Sequence, residues 1–451
     1  MDRLFGTDGI RGRANRYPMI PETAVAFGRA VADLLSANAR SKVVIGADTR
    51  QSSDMFAAAA AAGVCSSGAD ALMAGVIPTP AVARLTVECG AAAGIVISAS
   101  HNPFEDNGLK VFSGDGFKPG RAMEQRIEER IRTILEKDRT GVDFGETVGR
   151  IAEVEDAENR YLEFLRTKGE PLSGLTLVLD CANGAAHRVG PELFSSLGAD
   201  VSAIGVCPDG RNINDGCGSE HPDGLAKEVL RTGADLGLAF DGDGDRLVAV
   251  DETGAVITGD QIIAICAADM KARQTLSNNR VVTTVMSNAG LGRALKKLGI
   301  EHRLSDVGDR KVVEEMRRWC AVLGGEDSGH LVFLDSHTTG DGLFAALRLL
   351  GTLQRTNQPL SRAKSIMNVY PQVLINVTVA AKPKITEIAG VSDAIREVEN
   401  GLKGEGRVLV RYSGTQPVCR VMVEGPSEND TRQACEKIAR AVTDAIGSFS
   451  P

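Results

Sequence analysis

The stretch most informative about the fold is Leu236-Gly-Leu-Ala-Phe-Asp-Gly-Asp-Gly-Asp-Arg246. Its first five residues are an apolar run typical of a buried strand. The residues that follow form a polar loop carrying Asp241, Asp243 and Asp245. Because ligands of open α/β proteins collect at the carboxyl ends of strands, the stretch predicts an α/β fold with a site at this strand end.

The three aspartates of this loop alternate with glycines, so an extended backbone would direct their side chains to one face. The glycines also let the loop curl until three hard oxygen donors converge on one divalent cation. An EF-hand calcium loop starting at Asp241 would require glycine where Arg246 stands and a helix before the loop. A solvated acidic turn is the other alternative, but carboxylates this close repel each other unless cations neutralise them. The favoured interpretation is a metal site.

Composition limits the classes of function. The chain has 451 residues, which suggests three or four domains, and its 43% hydrophobic and 24% charged residues are ordinary for a globular protein. A formal charge of −8 and few aromatic residues argue against a nucleic-acid or membrane partner. The nine cysteines form no C-x-x-C pair, and neither a signal peptide nor a membrane-spanning run is found. We therefore expect a cytoplasmic protein with reduced thiols.

One strand–helix–strand pattern recurs three times, each time ending in a polar loop. The predicted strand, helix and final strand or loop are residues 42–47, 55–64 and 94–98, then 175–180, 189–197 and 236–240, then 280–285, 291–298 and 324–330. Units of this size are right-handed crossovers that build mainly parallel sheets. Any α/β protein shows a similar rhythm, so ordinary alternation is the alternative to true repetition. The pattern predicts three repeated mixed α/β domains over residues 1–150, 151–253 and 254–368.

The pattern changes after residue 368. Residues 373–379 alternate between apolar and polar, 385–402 have helical periodicity, and 407–410 and 420–424 are typical of antiparallel strands. This predicts a smaller C-terminal α+β domain over residues 369–451. Earlier in the chain, an amphipathic helix over residues 120–138 precedes a charged segment near 141–150 that we expect to be the first linker.

The loop Ser98-Ala-Ser-His-Asn-Pro103 holds the first candidate for catalysis. Ser100 precedes His101, but neighbouring loop residues rarely meet in base geometry, and the chain has no G-x-S-x-G elbow. A serine used for phosphoryl transfer needs no strong base if a metal and cations hold the phosphoryl group, and Lys110 could supply one such cation. A helix N-cap serine beside a packed histidine remains the alternative.

Other loops carry weaker signals, and each could be an ordinary turn. Phe5-Gly-Thr-Asp-Gly-Ile-Arg-Gly12 could offer backbone amides and Arg11 to a phosphate. A strand-like loop over residues 324–330 would direct Glu326, Ser328 and His330 to one ligand. Arg411-Tyr-Ser-Gly-Thr415 has the parts of a phosphate cradle. Together the basic residues near glycine-rich loops predict a local positive pocket: Arg11, Lys110, Arg246, Arg310, Arg411 and Arg420.

The set of loops, in this order, resembles the α-D-phosphohexomutase family over essentially the whole chain. The serine loop, D-G-D-G-D-R, G-E-x-S-G-H and R-x-S-G-T match the family's four signatures, one per domain. The resemblance implies four domains around an active site in a central cleft. It also implies conversion of a hexose 6-phosphate to the 1-phosphate through a phosphoserine enzyme and a 1,6-bisphosphate intermediate.

The resemblance further implies a role for each candidate residue. Ser100 would carry the phosphoryl group, and Asp241, Asp243 and Asp245 would hold Mg²⁺ together with a phosphoserine oxygen. Arg11, His101 and Lys110 would surround the transferring group, with Arg11 and Lys110 as candidates for proton transfer. The residues expected to bind substrate are Arg246, Glu326, Ser328, His330, Arg411, Ser413, Gly414, Thr415 and Arg420.

The expected substrate is a hexosamine phosphate, with a hexose 1,6-bisphosphate as activator and a homodimer as one option for assembly. Two departures from the family pattern, Gln416 after S-G-T and Asp327 inside G-E-x-S-G-H, bear on the preferred sugar and not on phosphoryl transfer. A mutase of glucose or mannose phosphate is the alternative within the family. A non-catalytic, metal-binding sugar-phosphate sensor is the alternative outside it, but such a sensor has no use for a phosphorylatable serine.

Overall fold

The structure is a computed structural model that describes residues 3–35, 41–137, 147–413 and 417–447. The chain divides into a larger unit, Met1–Met286 with Gly299–Ile366, and a C-terminal unit, Ser287–Leu298 with Met367–Pro451. Most of the expected linker near residues 141–150 lies outside the described residues. Within the ranges described, no helix is both long enough and apolar enough to cross a membrane.

The first sheet of the larger unit has the strand order β1-β5-β4-β2-β3-β6. Its strands are β1 (Ile10–Arg13), β2 (Lys42–Ala47), β3 (Asp70–Val76), β4 (Ala93–Ile97), β5 (Asp106–Ser113) and β6 (Ile151–Glu153), and its helices are α1 (Pro21–Leu35), α2 (Ser53–Ser66), α3 (Thr79–Glu88) and α4 (Arg121–Lys137). β2, β3, β4 and β6 run parallel, whereas β5 is antiparallel to both β4 and β1. β4 is buried along its whole length, as its continuous apolar sequence predicts for a central parallel strand.

The second sheet has the order β11-β10-β9-β7-β8. Its strands are β7 (Thr176–Asp180), β8 (Asp200–Ile204), β9 (Leu236–Phe240), β10 (Leu247–Asp251) and β11 (Val256–Ile257), and the helices of this region are α5 (Ala157–Arg166), α6 (Val189–Ser196) and α7 (Asp223–Thr232). β7, β8 and β9 are parallel, and β10 is antiparallel to β9. β9, the strand that precedes the aspartate loop, is fully buried.

The third sheet has the order β13-β12-β14-β15. Its strands are β12 (Arg280–Thr284), β13 (Glu301–Ser305), β14 (Leu323–Gly325) and β15 (Leu331–Phe333); the helices that follow β11 are α8 (Gly259–Ala272), α9 (Ala289–Lys297, which belongs to the C-terminal unit), α10 (Asp309–Arg318), α11 (Gly342–Thr356) and α12 (Leu360–Ala363). β12, β13 and β14 are parallel, and β15 is antiparallel to β14.

The three sheets share one core arrangement. The orders β5-β4-β2-β3, β10-β9-β7-β8 and β15-β14-β12-β13 are equivalent, and in each the first strand named is antiparallel to the second. Each predicted polar loop therefore joins the last parallel strand of its repeat to that antiparallel strand. This confirms the fold class predicted from the sequence, with mixed rather than purely parallel sheets.

The C-terminal unit has an antiparallel sheet with the order β16-β18-β17, as the sequence pattern predicts. Its elements after α9 are β16 (Gln372–Thr378), α13 (Ala389–Leu402), β17 (Arg407–Tyr412), β18 (Val418–Glu424) and α14 (Glu428–Ile446). Buried Val391, Val421 and Ile438 belong to the apolar core of this unit. The helix expected over residues 385–402 begins instead with a 3-10 turn, Ile385–Glu387, and α13 starts at Ala389.

Candidate active site

The larger unit brings together the three loops that the sequence analysis singled out. Ser100, on the β4–β5 loop, donates from Oγ to Oδ2 of Asp241 on the β9–β10 loop at 2.5 Å. Asp245 Oδ2 of the same loop lies 3.5 Å from Nδ1 of His330, at the end of the β14–β15 loop. Residues 85 and 141 positions apart in the sequence thus meet in one site.

Ser100 is buried and has a left-handed backbone conformation, with φ of 55°. Such a conformation is uncommon for a residue with a side chain and often marks a functional position. In the described chain no helix begins at this loop, so the alternative of an N-cap serine is excluded. His101 Nδ1 lies 3.4 Å from Ser100 Oγ, and burial, followed by the Arg246 charge, lowers the pKa of His101. Its ring is therefore neutral at physiological pH.

The aspartates form a buried cluster in which one oxygen from each lies within 4.8 Å of the others. Asp241 Oδ1 accepts the backbone N–H groups of Asp245 and Arg246, each at 3.1 Å. Among the described residues, Asp243 Oδ1 and Asp245 Oδ1 are buried without a hydrogen-bond partner. Burial and the neighbouring carboxylates raise the pKa of Asp241 well above its usual value. Unpartnered hard oxygens at such density fit a divalent cation, so this donor set can hold a metal.

Lys110 neutralises one side of the aspartate cluster. Its side chain is only 1% exposed, and Nζ lies 2.7 Å from Asp243 Oδ2 and 3.0 Å from Asp8 Oδ2. Burial alone would lower the pKa of Lys110, but Asp243 and Asp8 more than reverse this effect and raise it. Arg11 Nη2 donates to Asp8 Oδ2 at 2.7 Å. Arg11 and Lys110, which the sequence analysis placed near the transferring group, are therefore held beside Ser100 and the aspartates through Asp8.

Charged residues that the sequence analysis did not assign extend this network. Lys118 is hydrogen-bonded to both Asp8 and Asp309, so an ion-pair chain runs from Asp243 to Asp309 through Lys110, Asp8 and Lys118. The Lys118 side chain is 13% exposed, and Asp309 and Asp8 raise its pKa against the effect of desolvation. Asp8 lies in the glycine-rich stretch noted for Arg11, which was a usable signal. Lys118 lies on a loop and Asp309 is the first residue of α10, and neither had a sequence signal of this kind.

The local positive pocket stays a prediction, because the predicted cations of the larger unit are paired with carboxylates. Arg246 Nη1 donates to Glu220 Oε1 at 2.7 Å, and Arg310 is paired with Glu124. Each predicted cation of this unit thus has a carboxylate partner. The sequence could not show the pairs of Arg246 and Arg310, because Glu220 and Glu124 lie on segments remote in the chain.

The β14–β15 loop is a hairpin turn and not the strand-like loop expected. Glu326 N–H donates to the His330 carbonyl at 3.0 Å, and Gly329 adopts φ of 92°. Ser328 is exposed, Glu326 Oε1 accepts the N–H of Gly308 at 3.1 Å, and His330 is directed to the aspartate cluster. The three side chains therefore do not share one face, because the turn breaks the alternation.

His330 links the aspartates to a cavity of about 120 Å³, whose lining includes Lys118, Asp309 and Arg310. Burial would lower the pKa of His330, but Asp245 raises it to about 9. Within the described part of the chain, Nε2 of this ring is buried without a partner. The far side of the ring is thus available to a ligand.

In the C-terminal unit, Arg411 on β17 stands directly opposite Arg420 on β18. Like charges in this register destabilise a sheet unless an anion neutralises them. Burial, followed by Arg420, lowers the pKa of Arg411. Ser413 is nearly buried, and its carbonyl accepts from Lys382 Nζ at 2.6 Å. Gly414 and Thr415, the other residues of the predicted phosphate cradle, lie outside the described residues, as does Gln416.

The sequence matches four family descriptions in succession. Those named Phosphoglucomutase/phosphomannomutase alpha/beta/alpha domain I, domain II and domain III match residues 2–138, 159–254 and 258–370. The C-terminal domain of the same family matches residues 374–441.

Curated relatives align along the full chain. A phosphoglucosamine mutase of Syntrophus aciditrophicus (strain SB) is 50% identical, with 99% of this chain and 100% of the relative covered. A phosphoglucosamine mutase of Geobacter sp. (strain M21) is 49% identical, with 99% of both chains covered.

Solved structures share the fold. A phosphoglucomutase/phosphomannomutase family protein from Burkholderia thailandensis aligns with a TM-score of 0.80 at 25% identity, covering 97% of each chain. An N-acetylphosphoglucosamine mutase of Aspergillus fumigatus, solved with GlcNAc-6P and magnesium, has a TM-score of 0.70 at 17% identity, covering 99% of this chain and 96% of that one.

Proposed function

Because the chain belongs to the phosphoglucomutase/phosphomannomutase family, we propose that it is a phosphoglucosamine mutase, which interconverts glucosamine 6-phosphate and glucosamine 1-phosphate. The chain is thus an isomerase that works by phosphoryl transfer. The observation that carries the reaction is the contact of Ser100 Oγ with the aspartate cluster at 2.5 Å. The choice of sugar rests on the full-length relatives of that name at about 50% identity.

We assign Mg²⁺ to the aspartate cluster, with Asp241, Asp243 and Asp245 as ligands and an oxygen of phosphorylated Ser100 completing the set. The unpartnered oxygens Asp243 Oδ1 and Asp245 Oδ1 support this assignment. When bound, the cation would withdraw charge from the phosphoryl group during transfer. Asp243 Oδ2 is engaged by Lys110 and Thr79, so its other oxygen is the one that faces the ion.

The residues around Ser100 would share the handling of charge and protons. The pKa values of Arg11 and Lys110 are both raised, so each keeps its positive charge and can stabilise the oxygens of the transferring group. We keep both as candidates for proton transfer, although a raised pKa makes each a weaker proton donor. His101 is neutral and lies 3.4 Å from Ser100 Oγ, which suits it to accept a proton. The hexose 1,6-bisphosphate formed by the first transfer must turn so that its second phosphate faces Ser100.

The remaining candidates would bind the sugar phosphate. His330 lies 3.5 Å from Asp245, and we assign Glu326 and Ser328 of the same loop to the sugar hydroxyls. Arg246 lies next to Asp245 in the sequence. We assign the non-reacting phosphate to Arg411, Ser413, Gly414, Thr415 and Arg420. The opposed guanidinium groups of Arg411 and Arg420 support this assignment, because an anion would relieve their repulsion.

We keep four domains, residues 1–150, 151–253, 254–368 and 369–451, as the proposed functional division. We also propose that the enzyme works in the cytoplasm, where its nine free cysteines would remain reduced. Sedimentation of the purified protein would distinguish a monomer from a homodimer.

Parallel coupled assays with glucosamine 6-phosphate, glucose 1-phosphate and mannose 1-phosphate test the proposal, with Ser100→Ala as the inactive control. We expect the highest kcat/KM for the glucosamine phosphate and loss of nearly all turnover in the variant. A preference for glucose or mannose phosphate would refute the choice of sugar but keep the reaction. Tight binding without turnover of any substrate would identify a sugar-phosphate sensor instead.

A further inference from the structure

Arg50 holds the backbone of the serine loop from inside the first domain. It follows β2, and its side chain is fully buried. Nη2 donates to the carbonyls of Ser100 at 2.9 Å and Asn102 at 2.7 Å. Nη1 donates to the carbonyls of Asp106, at 3.1 Å, and Pro103. One guanidinium thus binds four carbonyl oxygens of the loop that carries the nucleophile.

The partner of Arg50 fixes the peptide group on the other side of Ser100. Asp48 Oδ2 accepts from Arg50 Nε at 2.9 Å and from Ser98 Oγ at 2.6 Å. Ser98 Oγ in turn accepts the N–H of Ser100 at 2.9 Å. The N–H and the carbonyl of Ser100 are therefore both tied, through Ser98 and directly, to the buried Asp48–Arg50 pair.

Asn214, in the second domain, binds the same two carbonyls. Asn214 Nδ2 donates to the Ser100 carbonyl at 2.9 Å and to the Asn102 carbonyl at 3.1 Å. Gly242, inside the aspartate loop, packs so closely that a Cβ at this position would lie 2.6 Å from the Ser100 carbonyl oxygen. The Ser100 carbonyl is thus enclosed by Arg50, Asn214 and the metal loop.

This arrangement explains how Ser100 keeps its left-handed conformation, with φ of 55°. Residues with a side chain avoid this region unless their surroundings impose it. The direction of the peptide groups on both sides of Ser100 sets the direction of its Oγ toward Asp241. A planar guanidinium can span several carbonyls with fixed donor directions, whereas a lysine ammonium is a point charge.

We propose that Arg50 is a positioning residue for phosphoryl transfer, which acts by fixing the Ser100 backbone and thereby the distance from Oγ to the aspartate cluster. Arg50 does not contact substrate in this role. The inference rests on the proposed function for the role of Ser100 in phosphoryl transfer and for the choice of sugar used in the assay.

The first test is Arg50→Lys, which keeps the charge but not the fork of donors. We expect kcat to fall about a hundredfold, as for a displacement of about 1 Å at a reacting centre, with KM changed by less than about threefold. The phosphate transferred to Ser100 from glucose 1,6-bisphosphate, measured by peptide mass spectrometry, should slow in parallel. The matched control is Arg355→Lys, since Arg355 also binds a carboxylate, Asp269, but on helices away from the loop. It should retain wild-type kcat.

Asn214→Ala provides a second, independent perturbation, because it removes donors to the same two carbonyls and leaves Arg50 in place. We expect a smaller fall in kcat, of about tenfold, and a non-additive effect in the double variant, since both residues bind the same two carbonyls. If Arg50→Lys does not fold, the Asn214→Ala result decides. Transfer to Ser100 is measured without reference to any sugar specificity, so it separates this inference from the proposed function.

The proposal would be overturned if folded Arg50→Lys had wild-type kcat and wild-type phosphate transfer to Ser100, with only a lower Tm. Arg50 would then be a structural residue. A fall in kcat matched by Arg355→Lys would overturn the proposal equally. Failure of the wild type to convert any hexosamine phosphate, with transfer to Ser100 still dependent on Arg50, would refute the proposed function and keep this inference.

Discussion

Substitution of Gly340 by alanine tests whether the placement of His330 matters for the reaction. Gly340 precedes α11 and lies against the face of the His330 ring. A Cβ at residue 340 would lie 2.5 Å from both Cε1 and Nε2 of that ring and 2.8 Å from Cδ2. An ordinary contact is 3.4–4 Å, so the ring must move by about 1 Å. Its Nδ1, now 3.5 Å from Asp245 Oδ2, would lose hydrogen-bonding distance.

The expected effects of Gly340→Ala on stability and on kcat follow from these distances. Overpacking of a dense region typically destabilises by about 1–3 kcal/mol. Loss of a charge-assisted hydrogen bond costs about 1.5–3 kcal/mol, which corresponds to about ten- to a hundredfold in kcat if the pair supports the transition state. We therefore expect Gly340→Ala to lower kcat by that factor and to lower the free energy of unfolding by about 1–3 kcal/mol.

The contribution of the His330–Asp245 pair should also depend on pH. The folded-state pKa of His330 is raised to about 9, above about 6.5 for an exposed histidine. A raised histidine pKa contributes stability in full below about pH 6.5 and loses it as pH rises through 9. In metal-free protein, the destabilisation by Gly340→Ala should therefore shrink between pH 6.5 and 9.5, and NMR should show a lower His330 pKa.

The assay compares kcat, Tm and urea unfolding for wild type, Gly340→Ala and the control Gly224→Ala. Gly224 lies in α7, and a Cβ there would meet nothing within 4 Å. The control should match the wild type in kcat and gain about 0.5–1 kcal/mol from its helix. Wild-type kcat and an unchanged His330 pKa in Gly340→Ala would refute the reasoning, since the ring would then have tolerated the methyl group without leaving Asp245.

Three further predictions concern the charges of the site. Asp243→Asn keeps the shape of the metal ligand but removes its charge, so we expect a folded protein with turnover lower by about three orders of magnitude. Chelator-treated wild type should be equally inactive, and normal turnover after chelation would contradict the metal assignment. Asp8→Asn should destabilise the protein by about 1.5–3 kcal/mol at pH 7, because it removes the carboxylate shared by Arg11, Lys110 and Lys118. Burial would raise the pKa of Asp8, but its cations hold that pKa well below the usual value. The contribution of Asp8 to the free energy of unfolding is therefore present above about pH 4 and is lost as pH falls further. Urea unfolding from pH 7 to 3 should therefore show that the free energies of unfolding of wild type and Asp8→Asn converge toward low pH. A difference that stays constant with pH would contradict this prediction. Arg411→Ala should raise KM by about ten- to a hundredfold and release more bisphosphate per turnover, with phosphate on Ser100 unchanged. Unchanged KM and unchanged bisphosphate release would mean that the non-reacting phosphate of the substrate is held elsewhere.

The sequence predicted most strands and the loops of the site because both depend on local features. The strand at Lys42–Ala47 has the predicted bounds, and β9 corresponds to the apolar run before the aspartates. Continuous apolar runs of this length stand out in a single sequence. The strand–helix–strand units likewise followed from their length and order, but the antiparallel strand of each sheet was not predicted.

Pairings between distant loops could not be predicted in the same way. Lys118 meets Asp8 and Asp309 across 110 and 191 residues, and isolated charges in loops have no periodicity that reveals a partner. The prediction of an extended conformation for the β14–β15 loop was wrong for a local reason. Gly329 adopts a left-handed conformation, and the sequence alone did not distinguish a hairpin turn from a short extended segment.

The equivalent strand order of the three sheets has a consequence for how activity is acquired during folding. Each sheet closes through pairings within its own stretch of chain, whereas Ser100 reaches Asp241 over 141 residues and Lys110 reaches Asp243 over 133. Contacts of high sequence separation form late, because the loop-closure entropy is lost before they contribute. In refolding experiments, circular dichroism should therefore recover before turnover. The interval between the two would measure docking of the repeats, a step that no single sheet can complete alone.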